Sequence, residues 1–145
     1  MNLKTVLSVS MIVSLLAAGA FTTSGCSLFG PPEVSPSMSR QATPDDTAAS
    51  FAAAASANEK ASMLALMTPK AKSAQQGDDS WVKLFSDPRA KVISTSADPA
   101  EIDGDQAKVH CRVRYVKPGE TNEREDRLRF RMKKNNGVWW IHELE

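Results

Sequence analysis

Ala107-Lys108-Val109-His110-Cys111-Arg112-Val113-Arg114-Tyr115, followed after a Pro118-Gly119 turn by Arg127-Leu128-Arg129-Phe130-Arg131-Met132-Lys133, decides the fold. In both runs apolar and charged side chains alternate with period two, the pattern of strands buried on one face and wet on the other. Asn135-Asn136-Gly137 supplies residue types that accept positive φ at low cost, a hairpin signal, and Val138 to Leu144 reads as the closing strand. A two-residue loop at Asn136-Gly137 pairs Lys134 with Trp139, Lys133 with Trp140, Met132 with Ile141 and Arg131 with His142. A loop at Asn135-Asn136 slips the pairing but keeps the faces. Trp139 and Ile141 then join Phe130 and Met132 on the core side, and Trp140 and His142 join the arginines.

Upstream, Lys91 to Ser96 reads as a further strand and Asp98 to Asp105 as a connection. Before Pro88 the pattern is helical. Thr43-Pro44-Asp45-Asp46 combines a capping hydroxyl, a first-turn proline and two acids at the positive end of the dipole. That helix runs to Ala57, with Phe51 as its one large anchor. Asn58 is placed to cap a second helix through Met67, whose apolar side is Met63, Leu64, Leu66 and Met67. Thr68-Pro69 repeats the start signal for Lys70 to Gln76, which Gly77-Asp78-Asp79 ends. Trp81, Val82, Leu84 and Phe85 form another helical turn beneath the sheet. The expected class is α+β, with N-terminal helices packed on a curved antiparallel sheet of about four strands over residues 43–145.

Ahead of this domain, Ser27 to Ala42 is rich in Pro and Ser and reads as a flexible tether. It spans about 50 Å fully extended or roughly 20 to 25 Å as a coil. Lys4 followed by the apolar run Val6 to Phe21 has the layout of a secretory signal, and is too short for the ~20 apolar residues that a spanning helix needs. The run ends in Thr23-Ser24-Gly25-Cys26, which resembles the lipobox of bacterial lipoprotein precursors, with Thr23 in place of the usual leucine. The resemblance implies a signal peptide over 1–25, cleavage, palmitate-type acylation of Cys26, and a tether over 26–42. Two or three acyl chains on one sulfur anchor firmly where one chain is marginal. Ser27, rather than an aspartate, favours outer-membrane sorting in a host with two membranes. The alternative is an ordinary secreted protein cut near Ala18 or Ala20.

The chain carries 18 Lys+Arg and 17 Asp+Glu. Loss of Lys4 with the leader leaves equal numbers, so no global charge argues for nucleic acid. With Cys26 acylated, Cys111 has no partner and the domain must be held by its core. His110, Cys111 and His142 show no metal-ligand spacing, and no cofactor motif occurs. Asp103-Gly104-Asp105 lacks the continuation of a calcium loop, and phosphate-loop, nucleophile-elbow and zinc-helix signatures do not occur.

A Pro-Asp helix start with Phe in its second turn, a short helix ending in Met67-Thr68-Pro69, Asp103-Gly104-Asp105-x-Ala107-x-Val109, and Gly137-x-Trp139-x-Ile141 follow one another in order. Together they resemble the small lipoproteins of the nuclear transport factor 2-like superfamily. The resemblance implies a cone-shaped fold whose cavity serves catalysis, ligand binding or dimer contacts in different members. The cavity candidates here are Tyr115, Cys111 and Trp139, with Glu143 near the chain end. The simpler readings are a small buried hydrophobe for Cys111, a core-edge aromatic for Tyr115 and a frayed terminus for Glu143. No His-Asp pair faces inward, and enzyme activity is not expected.

The outer face brings together His110, Arg112, Arg114, Arg127, Arg129, Arg131 and Lys133 beside Trp140 and His142. Such a surface suits an anionic envelope polymer, a lipid headgroup or an acidic protein. The competing reading is a solvated face that discourages edge pairing, partly neutralised by Glu123, Glu125 and Asp126, with Trp140 under Arg131 or Lys133. A homodimer through Trp140 is a third reading. The expected function is a lipid-anchored, non-catalytic binding or accessory module of the cell envelope, facing periplasm or exterior; the alternative is a small-molecule binder or enzyme using the cone cavity.

Overall fold

The computed structural model describes residues 41–145. The expected leader, Cys26 and nearly all of the tether lie outside the described residues. Four helices come first, α1 Pro44–Ser56, α2 Lys60–Ala65, α3 Pro69–Ala74 and α4 Trp81–Ser86. Five strands follow, β1 Lys91–Ala97, β2 Glu101–Asp103, β3 Gln106–Val116, β4 Glu123–Asn135 and β5 Val138–Leu144. All strand pairs are antiparallel, in the order β1-β3-β4-β5 with β2 beside β3. Among the described residues no helix is long and apolar enough to cross a membrane.

The helix starts at Thr43 and Thr68 follow the expected chemistry, and Ser80 adds a third cap of the same kind. Thr43, Thr68 and Ser80 each accept a hydrogen bond from a first-turn N–H, and Pro44 and Pro69 open their helices. Asn58 departs from it. Its φ of 57° takes the chain out of helical geometry, Glu59 occupies the capping position of α2, and the Asn58 amide instead reaches across to donate to Phe85 O (2.8 Å), Asp87 O (3.0 Å) and Ala90 O (3.2 Å). It ties the α1–α2 turn to the end of α4. The expected connection Asp98 to Asp105 contains β2, a three-residue strand hairpinned to β3 through Gly104 at φ 57°.

Parity on β3 and β4 is as the alternation requires. Val109 lies opposite Phe130 and Cys111 opposite Leu128, all buried, while His110 faces Arg129 and Arg112 faces Arg127 on the outer side. Helix α1 lies on the inner face, its Phe51 ring 5.3 Å from Phe130 in an edge-to-face contact. A side chain of this kind stabilises by about 1.5–3 kcal/mol when fully buried. The β4–β5 hairpin turns on Asn136 and Gly137, at φ 51° and 79°, a pair of positive values that matches strand twist. Lys134–Trp139, Lys133–Trp140 and Met132–Ile141 pair as expected. Beyond them Arg131 pairs with Glu143 rather than His142, because a bulge inserts His142 as an extra residue. The slip turns Leu144 inward, opposite Phe130.

The domain reaches further toward the N-terminus than Thr43. Gln41, expected in the tether, is 2% exposed; its carbonyl accepts from Trp139 N (3.0 Å) and its amide donates to Trp139 O (2.7 Å). Replacing Asn58 by Gly keeps the backbone geometry and removes the side-chain donors, so urea unfolding should show a loss of about 1–3 kcal/mol. Asn58→Ala should lose more, by roughly 1–2 kcal/mol, because alanine resists the left-handed conformation. The opposite ranking would contradict the bridging role.

Candidate functional site

The outer sheet face gathers the expected residues, but most of its cations already hold carboxylates. Arg114 bonds Glu123, Arg127 bonds Asp98 at 2.8 Å, Arg129 bonds Glu145 at 3.1 Å and Arg131 bonds Glu143 at 3.3 Å. Lys70 of α3 also binds Glu143, at 2.6 Å. That contact, with Arg131, holds the Glu143 carboxyl below its usual range and removes it from the cavity candidates. The face is thus an interleaved array rather than a uniformly basic one. Among the described arginines Arg112 is the exception, having no side-chain ion pair or hydrogen bond. His142, carried sideways by the bulge, lies 3.4 Å from Thr68 Oγ1. Burial, then Lys133 and Lys70, lower its pKa, which disfavours the charged imidazolium. Trp140 is half-buried on the outer face opposite Lys133. The cation–π contact belongs instead to Lys134 over Trp139, at 5.7 Å.

At one corner of this face Lys108, Arg131, Lys133, Glu101, Asp103 and Glu143 surround a groove of about 550 Å³. Its charges are mixed, since β2 brings Glu101 opposite Lys108 and Asp103 opposite Gln106.

The interior between the helices and the sheet is filled. The space bounded by Phe51, Phe85, Cys111, Val113, Leu128 and Phe130 is about 10 Å³, no larger than one water. Cys111 is buried there and its thiol pKa is raised by desolvation, the opposite of an activated nucleophile. Trp139 is 4% exposed and packed within the core. Of the three cavity candidates only Tyr115 reaches an opening, a groove of about 680 Å³ shared with Trp81, Lys83, Lys117, Pro118 and Asp126.

Tyr115 sits edge-on to Trp81 (6.2 Å) and Phe85 (5.6 Å), which are themselves stacked. Its hydroxyl donates to Asp126 Oδ2 at 2.6 Å. Burial and then this carboxylate push the phenol up to about 12. Sequence reasoning placed Asp126 among acids neutralising the outer face, yet its even number puts it with Leu128 and Phe130 on the inner side. The period-two pattern already carried that signal. Among the described residues no group of His, Cys, Asp and Glu is arranged to hold a metal ion.

No family model matches this chain, and no curated protein does. A solved structure does: the solution structure of a SEC-C motif-containing protein from Rhodopseudomonas palustris aligns with a TM-score of 0.58 at 18% identity, over 72% of this chain and 78% of that one. At that identity the likeness shows the fold alone, α+β with an antiparallel sheet of about five strands.

Tyr115 is the single tyrosine in the sequence, so its ionisation can be followed by absorbance without assignment. In the folded protein the midpoint should lie near 12, and Asp126→Ala should move it part of the way back toward 10. The phenol's contribution to stability is complete below its ordinary pKa of 10 and is lost as pH rises through about 12. A midpoint near 10 with the circular dichroism still native would contradict the buried Tyr115–Asp126 contact.

Proposed function

We propose that this chain is a cell-envelope lipoprotein, held in the membrane by acyl chains on Cys26 and facing periplasm or exterior. Its nuclear transport factor 2-like domain acts as a non-catalytic binding or accessory module. The sequence Thr23-Ser24-Gly25-Cys26 behind a short apolar run supports the anchor. The observation that carries the reading of the domain is its filled interior: Phe51 and Phe130 close the cone, and the remaining void of about 10 Å³ cannot take a substrate. Recognition is then left to the surface, and the outer sheet face offers the densest set of directional donors. A partner with acidic or phosphate groups would have to compete with the built-in carboxylates for most of these arginines, which favours selective over indiscriminate attraction.

A second reading places a small molecule in the groove floored by Trp81 and Tyr115. The Tyr115–Asp126 hydrogen bond favours it, since it holds a neutral phenol and a carboxylate at one opening.

Labelling with a palmitate analogue, followed by intact-mass analysis of the purified product, tests the anchor. Wild-type protein should begin at Cys26, carry added acyl mass and fractionate with membranes, whereas Cys26→Ala should be unlabelled and uncleaved at that site. A wild-type product that begins elsewhere, or that has no lipid mass, would overturn the proposal.

A further inference from the structure

Arg112 and Arg127 are directly opposed across β3 and β4. The hydrogen-bond pattern fixes which kind of pair they form. Arg129 exchanges both backbone bonds with Glu145 on the β5 side (2.8 and 3.1 Å), and the His110 carbonyl accepts from Asp98 N at the other edge (2.8 Å). Neither residue therefore spends its backbone groups on the other, and His110–Arg129 is a non-hydrogen-bonded pair. Two residues along, Arg112–Arg127 is one as well. In such pairs the Cα atoms approach to about 4.5 Å and side chains are closest. Like charges there are destabilising. Arg127 is satisfied by Asp98, but Arg112 has no carboxylate. Its other neighbour in register is Ser96 of β1, a hydroxyl donor on the same face. Glu125, diagonal to Arg112, stands opposite Arg114, which has turned to Glu123 instead.

We propose that the Arg112–Arg127 pair, with Ser96 beside it, is an oxyanion site that takes a phosphate group, and that the exposed like-charge pair is kept for this purpose at a cost in stability. A phosphate has the oxygens to accept from both guanidinium groups and the hydroxyl at once. Bound there, it turns a repulsive contact into a bridged one. The inference deepens the surface-binding reading above by naming the ligand chemistry, and it stands or falls separately from the anchor on Cys26.

Thermal unfolding of the full chain in neutral detergent tests it, with potassium phosphate compared against chloride at matched ionic strength. Wild-type protein should gain about 4 °C or more once phosphate is several-fold above its dissociation constant. Arg112→Ser should show no such gain, and in chloride it should melt at or above the wild-type midpoint. Lys72→Ser, which removes a charge on α3, should respond to phosphate as the wild type does. Reconstitution into phosphatidylcholine vesicles with and without phosphatidylglycerol separates the sources. A gain on phosphatidylglycerol that Arg112→Ser lacks identifies a lipid phosphate, and a gain with inorganic phosphate alone identifies a soluble or polymeric one. Equal phosphate responses in wild type and Arg112→Ser would overturn the proposal. So would a variant that melts lower in chloride while the wild type ignores phosphate, the behaviour of an Arg112–Glu125 ion pair.

Discussion

Parity along the β3–β4 ladder governs both faces of this domain. Eleven residue pairs run from Gln106–Lys133 to Val116–Glu123 without a break in register, so every odd position of β3 and every even position of β4 points to the same side. A slip of β4 by one residue against β3 would carry Leu128, Phe130 and Met132 into water and bury the arginines of that strand. The loss of several fully buried side chains, each about 1.5–3 kcal/mol, is comparable to the 5–15 kcal/mol by which a domain is usually stable. The outer array of arginines and the filled interior are thus two expressions of one constraint.

The two edges of the sheet are handled differently. The free side of β5 is covered along its length: Gln41 pairs with Trp139, Leu66 O and Thr68 N bond Ile141, and the Gln75 amide donates to Leu144 O at 3.2 Å. These contacts fasten α3 and both of its flanking turns to the sheet. The opposite edge consists of β1, interrupted by a bulge between Val92 and Ser94, and the three-residue β2. Shortness and bulging are ways of blunting an edge without covering it. The two exposed large apolar side chains among the described residues, Ile93 and Ile102, lie on this side.

Much of this was legible in the chain because it depends on local pattern. Alternation gave β3 and β4 and their faces, Asn136-Gly137 gave the hairpin, and Thr43 and Thr68 are local caps. What could not be read depends on contacts distant in sequence. The amide of Asn58 finds its carbonyls 27 to 32 residues away, Gln41 reaches Trp139 across 98, and Asp98 crosses to Arg127. The bulge at His142 follows from bringing Leu144 onto Phe130, a packing requirement that the hairpin signal does not contain. On the outer face the residue types were visible, but their pairing was not. Which arginine keeps a carboxylate and which lacks one is decided by how β1, β2 and the chain end lie beside the central strands.

Both faces of the domain depend on the β3–β4 register, and cysteine cross-linking reads it directly. In a Cys111→Ala background, His110→Cys with Arg129→Cys places two thiols in a non-hydrogen-bonded cross-strand pair, within the Cα separation that a disulfide needs. His110→Cys with Leu128→Cys places them on opposite faces. Mild oxidation of the folded protein should close the first pair readily and leave the second open. Closure of the Leu128 pair, or of neither, would contradict the register and with it both the filled interior and the arginine face.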